Sequence, residues 1–187
     1  MSTKTIIFSF LFSLAGILNL SAQQQKPTPV LPLDDVSKLI TYSKAQEIAG
    51  QTAGQLYQKA ISWAGTYYKN PTDVIREKDS VGGKIVCKAR FKISNPADKK
   101  GVASDAGLVQ YTLTLQFKEG KYKYTLTEIN WKQTSYYPAE KWMDKTNSYY
   151  KPEYDFYLQQ VDEQCHEILK DLDKGMRMVA AQKKDDW

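Results

Sequence analysis

Residues 107–131, GLVQYTLTLQFKEGKYKYTLTEINW, predict two long antiparallel strands joined by a tight turn. Glu119-Gly120 is a typical two-residue turn, and it places Lys118 opposite Lys121. Counting outward from the turn, one face collects large apolar side chains: Leu113, Leu115, Phe117, Tyr122, Tyr124 and Leu126. The other face pairs polar side chains: Thr112 with Thr127, Thr114 with Thr125, and Gln116 with Lys123. The same count predicts that Gln110 lies beside Ile129 and Leu108 beside Trp131, so the polar face ends in an apolar corner.

A second hairpin is predicted earlier in the chain. Gly82-Gly83 supplies the positive φ angles that a turn needs, and an extended segment lies on each side of it. After the turn, apolar and polar side chains alternate. The apolar set is Ile85, Cys87, Ala89, Phe91 and Ile93, and the alternating set is Lys84, Val86, Lys88, Arg90 and Lys92. We expect the apolar set to face the core and the basic side chains to lie on the polar face.

A first helix is predicted over residues 52–69. Thr52 offers an N-cap hydroxyl, and Gln55 three residues later completes a capping box. Apolar side chains then recur at helical spacing. Asn70-Pro71 ends the helix, because the residue before a proline avoids helical torsions.

A last helix is predicted from Pro152 to Lys174, with Gly175 as its C-terminal stop. A short strand over residues 39–48 and a helical turn over residues 139–143 complete the elements. Their order is β-α-β-β-β-β-α. The sequence therefore predicts an α+β fold, with a mostly antiparallel sheet and two helices packed on one face.

Residues 30–175 resemble an exported family common in Bacteroides-like bacteria. The resemblance rests on LPLDDVSKLITYS, LYQKAISWAGTYYKNPTDVIREKDS, GLVQYTLTLQF, INWKQTSYYPAEKWMD and the last helix. That family is a domain of unknown function with a TATA-binding-protein-like fold. The resemblance implies this fold and an envelope location, and it brings no catalytic residues. It does not imply DNA binding, because function belongs to sites and not to folds.

The N-terminus predicts export. Lys4, the apolar run from Ile6 to Leu18 and the small residue Ala22 form a secretory signal peptide over residues 1–22. A Pro- and Gln-rich linker over residues 23–36, a single domain over 37–175 and a tail over 176–187 follow. We expect a mildly basic protein of the periplasm or extracellular space, soluble after cleavage and without a later transmembrane segment.

The sequence predicts no enzyme. His166 is the only histidine, and although Cys165 and Asp162 are near it in sequence, adjacent helical residues point about 100° apart. We therefore expect a buried Cys165 beside a solvent-facing His166. One histidine and two cysteines build no zinc site, and no Gly-rich phosphate loop is present, so neither metal nor cofactor is expected. The carboxylates Glu140, Asp144 and Glu153 leave a glycan-acting hydrolase as the weakest alternative.

Two surfaces are candidate binding sites. The first is the polar sheet face, a broad surface with few carboxylates, formed by Lys88, Arg90, Lys92, Gln110, Thr112, Thr114, Lys123 and Trp131. The second is the aromatic-rich end formed by Trp131, Tyr136, Tyr137, Trp142, Tyr149, Tyr150, Tyr154, Phe156 and Tyr157. Its rings either seal the core or stack on a ligand.

These surfaces favour a non-enzymatic envelope module that binds a protein or glycan. No nucleic acid partner is expected, and the sequence does not determine the oligomeric state. A small-molecule carrier with a cavity between helices and sheet is the alternative. Cys87 and Cys165 both belong to apolar faces, so they are either buried free thiols, the main expectation, or a disulfide.

Overall fold

The alternating and helical patterns form the expected elements in the computed structural model, which describes residues 28–178. In chain order these are β1 (Tyr42–Glu47), α1 (Ala53–Tyr67), α2 (Pro71–Val74), β2 (Ile75–Asp79), β3 (Lys84–Ser94), β4 (Asp105–Lys118), β5 (Lys121–Lys132), β6 (Tyr136–Pro138), a 3₁₀ turn (Ala139–Met143) and α3 (Glu153–Arg177). The predicted α+β class is confirmed. The short elements α2 and β6 were not predicted. The signal peptide, residues 23–27 of the linker and residues 179–187 of the tail lie outside the described residues.

The sheet is antiparallel in every strand pair, with the order β1-β5-β4-β3-β2. Strand β6 pairs with the far end of β5, beyond β1. The predicted register of the β4–β5 hairpin is confirmed from Lys118 opposite Lys121 to Thr112 opposite Thr127. Helices α1 and α3 cover one face of the sheet, because that face carries the apolar side chains of β3, β4 and β5.

A β-bulge changes the register beyond Thr127. Gln110 lies opposite Asn130 and not Ile129, so Glu128 and Ile129 together stand opposite Tyr111. Glu128 adopts a positive φ of 52° at this bulge. The extra residue turns every later side chain of β5 to the other face. The predicted apolar corner of the polar face is therefore wrong.

The helices pack through a tight contact at Gly175. The capping box at Thr52 and Gln55 is present, as predicted. Helix α3, however, continues through Gly175 to Arg177, so Gly175 is not its stop. A Cβ atom at Gly175 would lie 2.6 Å from Cδ1 of Trp63. Gly175 is needed because α1 and α3 approach closely there, and not to end the helix.

Buried side chains lie beyond both predicted domain boundaries. Leu31, assigned to the linker, is only 3% exposed, and Leu33 forms an antiparallel bridge with Ile40. Met176, assigned to the tail, is fully buried in the core. Leu31, in the proline-rich segment, and Met176, directly after Gly175, are therefore core residues. No helix of residues 28–178 is long and apolar enough to cross a membrane.

Both cysteines are free and buried, which confirms the main expectation for them. Cys87 lies on the helix-facing side of β3 and Cys165 on the buried side of α3, each with no exposed surface. Burial raises the pKa of the Cys87 thiol to about 12 and that of Cys165 still further above its usual value. Neither thiol ionises near neutral pH, so neither is poised as a nucleophile.

Candidate functional site

The face of the sheet opposite the helices carries cations toward both ends. Aligned across the strands, one end has the row Lys92–Leu108–Lys132 beside the row Arg90–Gln110–Asn130. The other end has the row Lys84–Gln116–Lys123 and the pair Lys118–Lys121. Between these ends lie Val86, Thr114 and Thr125 and the row Lys88–Thr112–Thr127. We call this surface the open face.

The centre of the open face is held by hydrogen bonds among its own side chains. The hydroxyls of Ser43 and Thr125 lie 3.1 Å apart, and those of Thr41 and Thr127 lie 2.9 Å apart. Thr112, only 8% exposed, donates its hydroxyl to Glu128 at 2.7 Å. These hydrogen bonds restrict the rotation of the hydroxyls at the centre of the open face.

Carboxylates neutralise part of the open face. The Lys88 ammonium lies 3.5 Å from Glu128, that of Lys84 3.0 Å from Glu77, and that of Lys92 3.9 Å from Asp105. The hydrogen bond from Thr112, together with Lys88, lowers the pKa of Glu128 against a smaller effect of burial. The expectation of few carboxylates is therefore wrong at these places. The bulge brings Glu128 onto this face, Glu77 lies on the neighbouring strand β2, and Asp105 begins β4.

Among the basic side chains of the open face that have no carboxylate partner within residues 28–178 are Arg90, Lys123 and Lys132. All three are exposed. Lys132 was not part of the predicted surface, and Trp131 was. The bulge exchanges the two, because it turns Trp131 toward the helices and Lys132 outward.

Tyr136 is a second addition to the open face. It is 49% exposed, and its hydroxyl donates to the Gln110 side chain at 3.1 Å. Tyr136 stands opposite Lys132 in the β5–β6 pair. An exposed aromatic ring thus lies beside the end of the open face at which Arg90 and Lys132 are unpaired.

The opposite side of the molecule has the opposite charge. Helix α3 carries seven acidic and three basic side chains, and it packs on the covered face of the sheet. The chain is mildly basic overall, but its charges are unevenly distributed: the open face is basic and the helical layer is acidic. Such a division favours anionic partners on the open face alone.

Most of the aromatic end is core. Trp142 is fully buried, with ring centroids 5.7 Å from Trp131, 5.8 Å from Tyr154 and 5.4 Å from Tyr157. Trp131 also donates its indole N–H to the backbone oxygen of Ala106 at 2.8 Å. These four rings seal the end of the sheet against α3. Trp131 is consequently not part of the polar binding face.

A cleft of about 550 Å³ opens beside this aromatic core. It is lined by Tyr137, Glu140, Lys141, Asp144, Tyr149 and Tyr154, and by Asn147. Tyr149 is 80% exposed, whereas Tyr154 is 7% exposed. Two of the three carboxylates singled out in the sequence, Glu140 and Asp144, thus meet in one cleft with three tyrosines. Glu153 is not among the lining residues.

The layer between helices and sheet is occupied by large side chains. Leu56 of α1, Leu113 of β4 and Leu158 of α3 are each at most 2% exposed. The cleft lies at the end of the sheet and not within this layer. This packing favours a filled core over the internal cavity that a carrier needs.

His166 lies on the surface and Cys165 in the core, as expected. The Nδ1 atom of His166 lies 3.3 Å from Asp162 and 2.9 Å from the backbone oxygen of the same residue. Asp162 accepts the hydroxyl of Tyr42 at 2.7 Å. Cys165 faces away from this surface pair and is fully buried. The three neighbours in sequence do not form a nucleophile, base and orienting group.

The fold and the two surfaces define an α+β domain with a TBP-like arrangement, in which helices cover one face of an antiparallel sheet and leave the other open. Residues 42–132 match the domain of unknown function (DUF4468) with TBP-like fold. The function of the family is unknown, and the match assigns no activity.

Two solved structures have the same fold. A DUF4468 family protein from Bacteroides ovatus is 19% identical, with a TM-score of 0.63 over 80% of this chain and 91% of its own. A TBP-like protein from Parabacteroides distasonis is 11% identical, with a TM-score of 0.60 over 79% of this chain and 97% of its own. At these identities the likeness concerns the fold alone. No curated protein matches the chain.

Proposed function

We propose that this protein is an exported, non-enzymatic binding module of the cell envelope whose open face binds an anionic polysaccharide. The observation that carries the proposal is the set Arg90, Lys123 and Lys132, each without a carboxylate partner, on a sheet face that no helix of residues 28–178 covers. The acidic α3 on the opposite side directs an anionic partner to this face.

A polymer fits this charge arrangement better than a small anion does. The cationic rows at Lys92 and Lys84 are eight residues apart along β3, which is about 27 Å at the usual rise of a strand. One small anion cannot reach both ends. A linear polymer with repeated acidic groups contacts both rows and hydrogen-bonds to the threonine hydroxyls between them.

Export is part of the proposal, because it decides which polymer the module meets. The apolar run from Ile6 to Leu18 and the small residue Ala22 favour cleavage after Ala22. An envelope protein encounters acidic glycans before nucleic acid. Mass spectrometry of the exported protein should find Gln23 as its first residue, and an intact Met1 in the exported pool would contradict this part of the proposal.

The binding test uses charge reversal at three positions. Arg90→Glu, Lys123→Glu and Lys132→Glu together reverse the unpaired cations and spare Lys88 and Lys92, whose ammonium groups partner Glu128 and Asp105. One ion contact in water contributes about 1 kcal/mol at 4 Å. The triple variant should therefore lose about tenfold or more in affinity for polygalacturonate, measured by titration at low salt.

A matched control reverses the same number of charges elsewhere. Lys69, Lys99 and Lys151 are exposed lysines outside the helices and strands, and changing all three to Glu alters net charge equally. This control should keep its affinity for polygalacturonate within about threefold, and neither protein should bind neutral dextran through the open face. Equal losses in the two triple variants would show that only net charge matters, and the open face would then be solvated surface.

A further inference from the structure

The cleft at the aromatic end has polar atoms that are fixed in place and still have bonding capacity. Glu140 accepts the backbone N–H of Ile40 through Oε1 at 2.7 Å, which leaves Oε2 available. Asp144 accepts the backbone N–H and the hydroxyl of Thr146 through Oδ1, at 3.0 and 2.6 Å, which leaves Oδ2 available. Two carboxylates are thus each held by one oxygen and present the other.

The third planar polar group is Asn147. Its Oδ1 accepts the backbone N–H of Tyr149 at 2.9 Å, and its backbone oxygen accepts the N–H of Tyr150. This turn fixes the backbone of Tyr149, from which the side chain extends. It leaves the Asn147 amide NH₂ free to donate. The hydrogen bonds from Thr146, the hydroxyl first, lower the pKa of Asp144, so it stays an ionised acceptor at neutral pH.

The aromatic rings give the cleft an apolar component. Tyr149 presents its ring to solvent without an aromatic neighbour among residues 28–178, whereas Tyr154 is backed by Trp142 at 5.8 Å. Burial raises the pKa of Tyr137, so its hydroxyl remains a protonated donor. A volume of about 550 Å³ is within the range of roughly 300–1,000 Å³ typical of small-ligand sites.

The charges in the cleft select against ionic ligands. The Lys141 ammonium already lies 5.4 Å from the centroid of the Tyr137 ring, so a ligand cation would compete with it there. Glu140 and Asp144 repel an anion. What remains is a neutral ligand with several hydroxyls and one apolar face, since the hydroxyls suit the carboxylates and the face suits a tyrosine ring.

We propose that this cleft is a separate saccharide-binding site that takes a neutral pyranose unit of a glycan, stacked on Tyr149 and hydrogen-bonded to Glu140, Asp144 and Asn147. The site does not depend on the cations of the open face. The ring of Tyr149 supplies the apolar contact, and the carboxylates accept hydrogen bonds from hydroxyls on adjacent carbons of the sugar.

The test titrates the full exported chain with neutral tetrasaccharides of glucose, mannose, xylose and N-acetylglucosamine to millimolar concentration. At least one series should bind. Tyr149→Ala should lower that affinity about tenfold or more, and Tyr149→Phe, which keeps the ring, should stay within about threefold of the native protein. Glu140→Gln keeps an acceptor for the N–H of Ile40 but removes the charge. It should lower the saccharide affinity about fivefold.

Two controls locate the site. Tyr136→Ala removes an exposed ring from the other side of β6 and should leave saccharide affinity unchanged. The triple variant of Arg90, Lys123 and Lys132 should also bind the neutral saccharide normally, even if it loses the anionic polymer. The failure of one proposal is thus distinguishable from the failure of the other.

Three results would overturn the assignment of the cleft. One is the absence of binding by every neutral series at millimolar concentration. Another is an equal loss of affinity in Tyr136→Ala and Tyr149→Ala, measured with both variants shown to be folded by thermal unfolding. The third is Tyr149-dependent binding of choline or a lysine derivative with no saccharide binding, which would make the cleft a cation site.

Discussion

Replacing Gly175 by alanine should destabilise the protein, although Gly-to-Ala changes inside helices usually stabilise. The added Cβ would lie 2.6 Å from Cδ1, 3.1 Å from Cγ and 3.2 Å from Cβ of Trp63. Real Cβ atoms do not approach other atoms so closely, so α3 or Trp63 must move. Trp63 is held by a hydrogen bond to Asp171 at 2.8 Å and by stacking on Tyr67 at 5.0 Å, so it resists movement.

The net cost follows from two opposing effects. Alanine gains about 1 kcal/mol of helix propensity over glycine. Overpacking a fixed core contact costs typically 1–3 kcal/mol, and the contact with Trp63 is at the severe end of that range. We expect Gly175→Ala to lower the free energy of unfolding by about 1–2 kcal/mol, or the midpoint of thermal unfolding by roughly 2–8 °C.

Gly65→Ala in α1 is the matched control. No atom lies within 4 Å of a Cβ built at Gly65, so only the propensity effect remains. Its free energy of unfolding, measured by urea titration beside that of Gly175→Ala, should rise by about 0.5–1 kcal/mol. In a Trp63→Leu background the penalty of Gly175→Ala should disappear. If Gly175→Ala is as stable as Gly65→Ala, the close approach of α1 and α3 is wrong.

Three further predictions concern the core and the bulge. Cys87 and Cys165 should both react with a thiol reagent when the protein is unfolded without reductant and should be inert when it is native; an absence of thiols after unfolding would mean a disulfide. Burial raises the pKa of Tyr111, so its contribution to stability is complete below the unfolded pKa of about 10 and is lost as pH rises above it, by about 1.4 kcal/mol per pH unit. Tyr111→Phe should make the alkaline loss of stability in urea titrations less steep by the contribution of this one group, since burial also raises the pKa of Tyr42, Tyr68 and Tyr122, and an unchanged slope would contradict it. Deleting Glu128 should leave Trp131 buried, because removing the extra residue leaves Ile129 alone opposite Tyr111 and keeps Trp131 opposite Val109; a red-shifted tryptophan fluorescence spectrum after this deletion would refute the bulge.

The hairpin could be predicted residue by residue because two independent constraints agree. The turn at Glu119-Gly120 fixes the register, and strict alternation fixes which face is buried. The signal for the bulge was also present. Buried positions of β5 are even-numbered at Tyr122 and Leu126 and odd-numbered from Ile129 onward, so the spacing of apolar residues changes once. The prediction kept the two-residue alternation of the strand past this change, and it therefore placed Trp131 on the wrong face.

Other features could not be predicted because they depend on neighbours distant in sequence. A glycine late in a helical pattern is the usual stop signal, and only the approach of Trp63 makes Gly175 an interior residue. The cleft similarly needs the N–H of Ile40 to meet Glu140, one hundred residues away. Local patterns identified Glu140 and Asp144 as candidates but could not show that they share a cleft with Tyr149.

The bulge at Glu128 determines both candidate sites, because β6 pairs with β5 beyond it. The bulge sends Trp131 inward and Lys132 outward, and the paired residues of β6 follow the same alternation. Tyr137 therefore lines the cleft, whereas its neighbour Tyr136 joins the open face and bonds to a strand on that side. Successive residues of one short strand thus belong to different surfaces. Because they point to opposite faces, a substitution at one position tests one surface without removing a contact from the other.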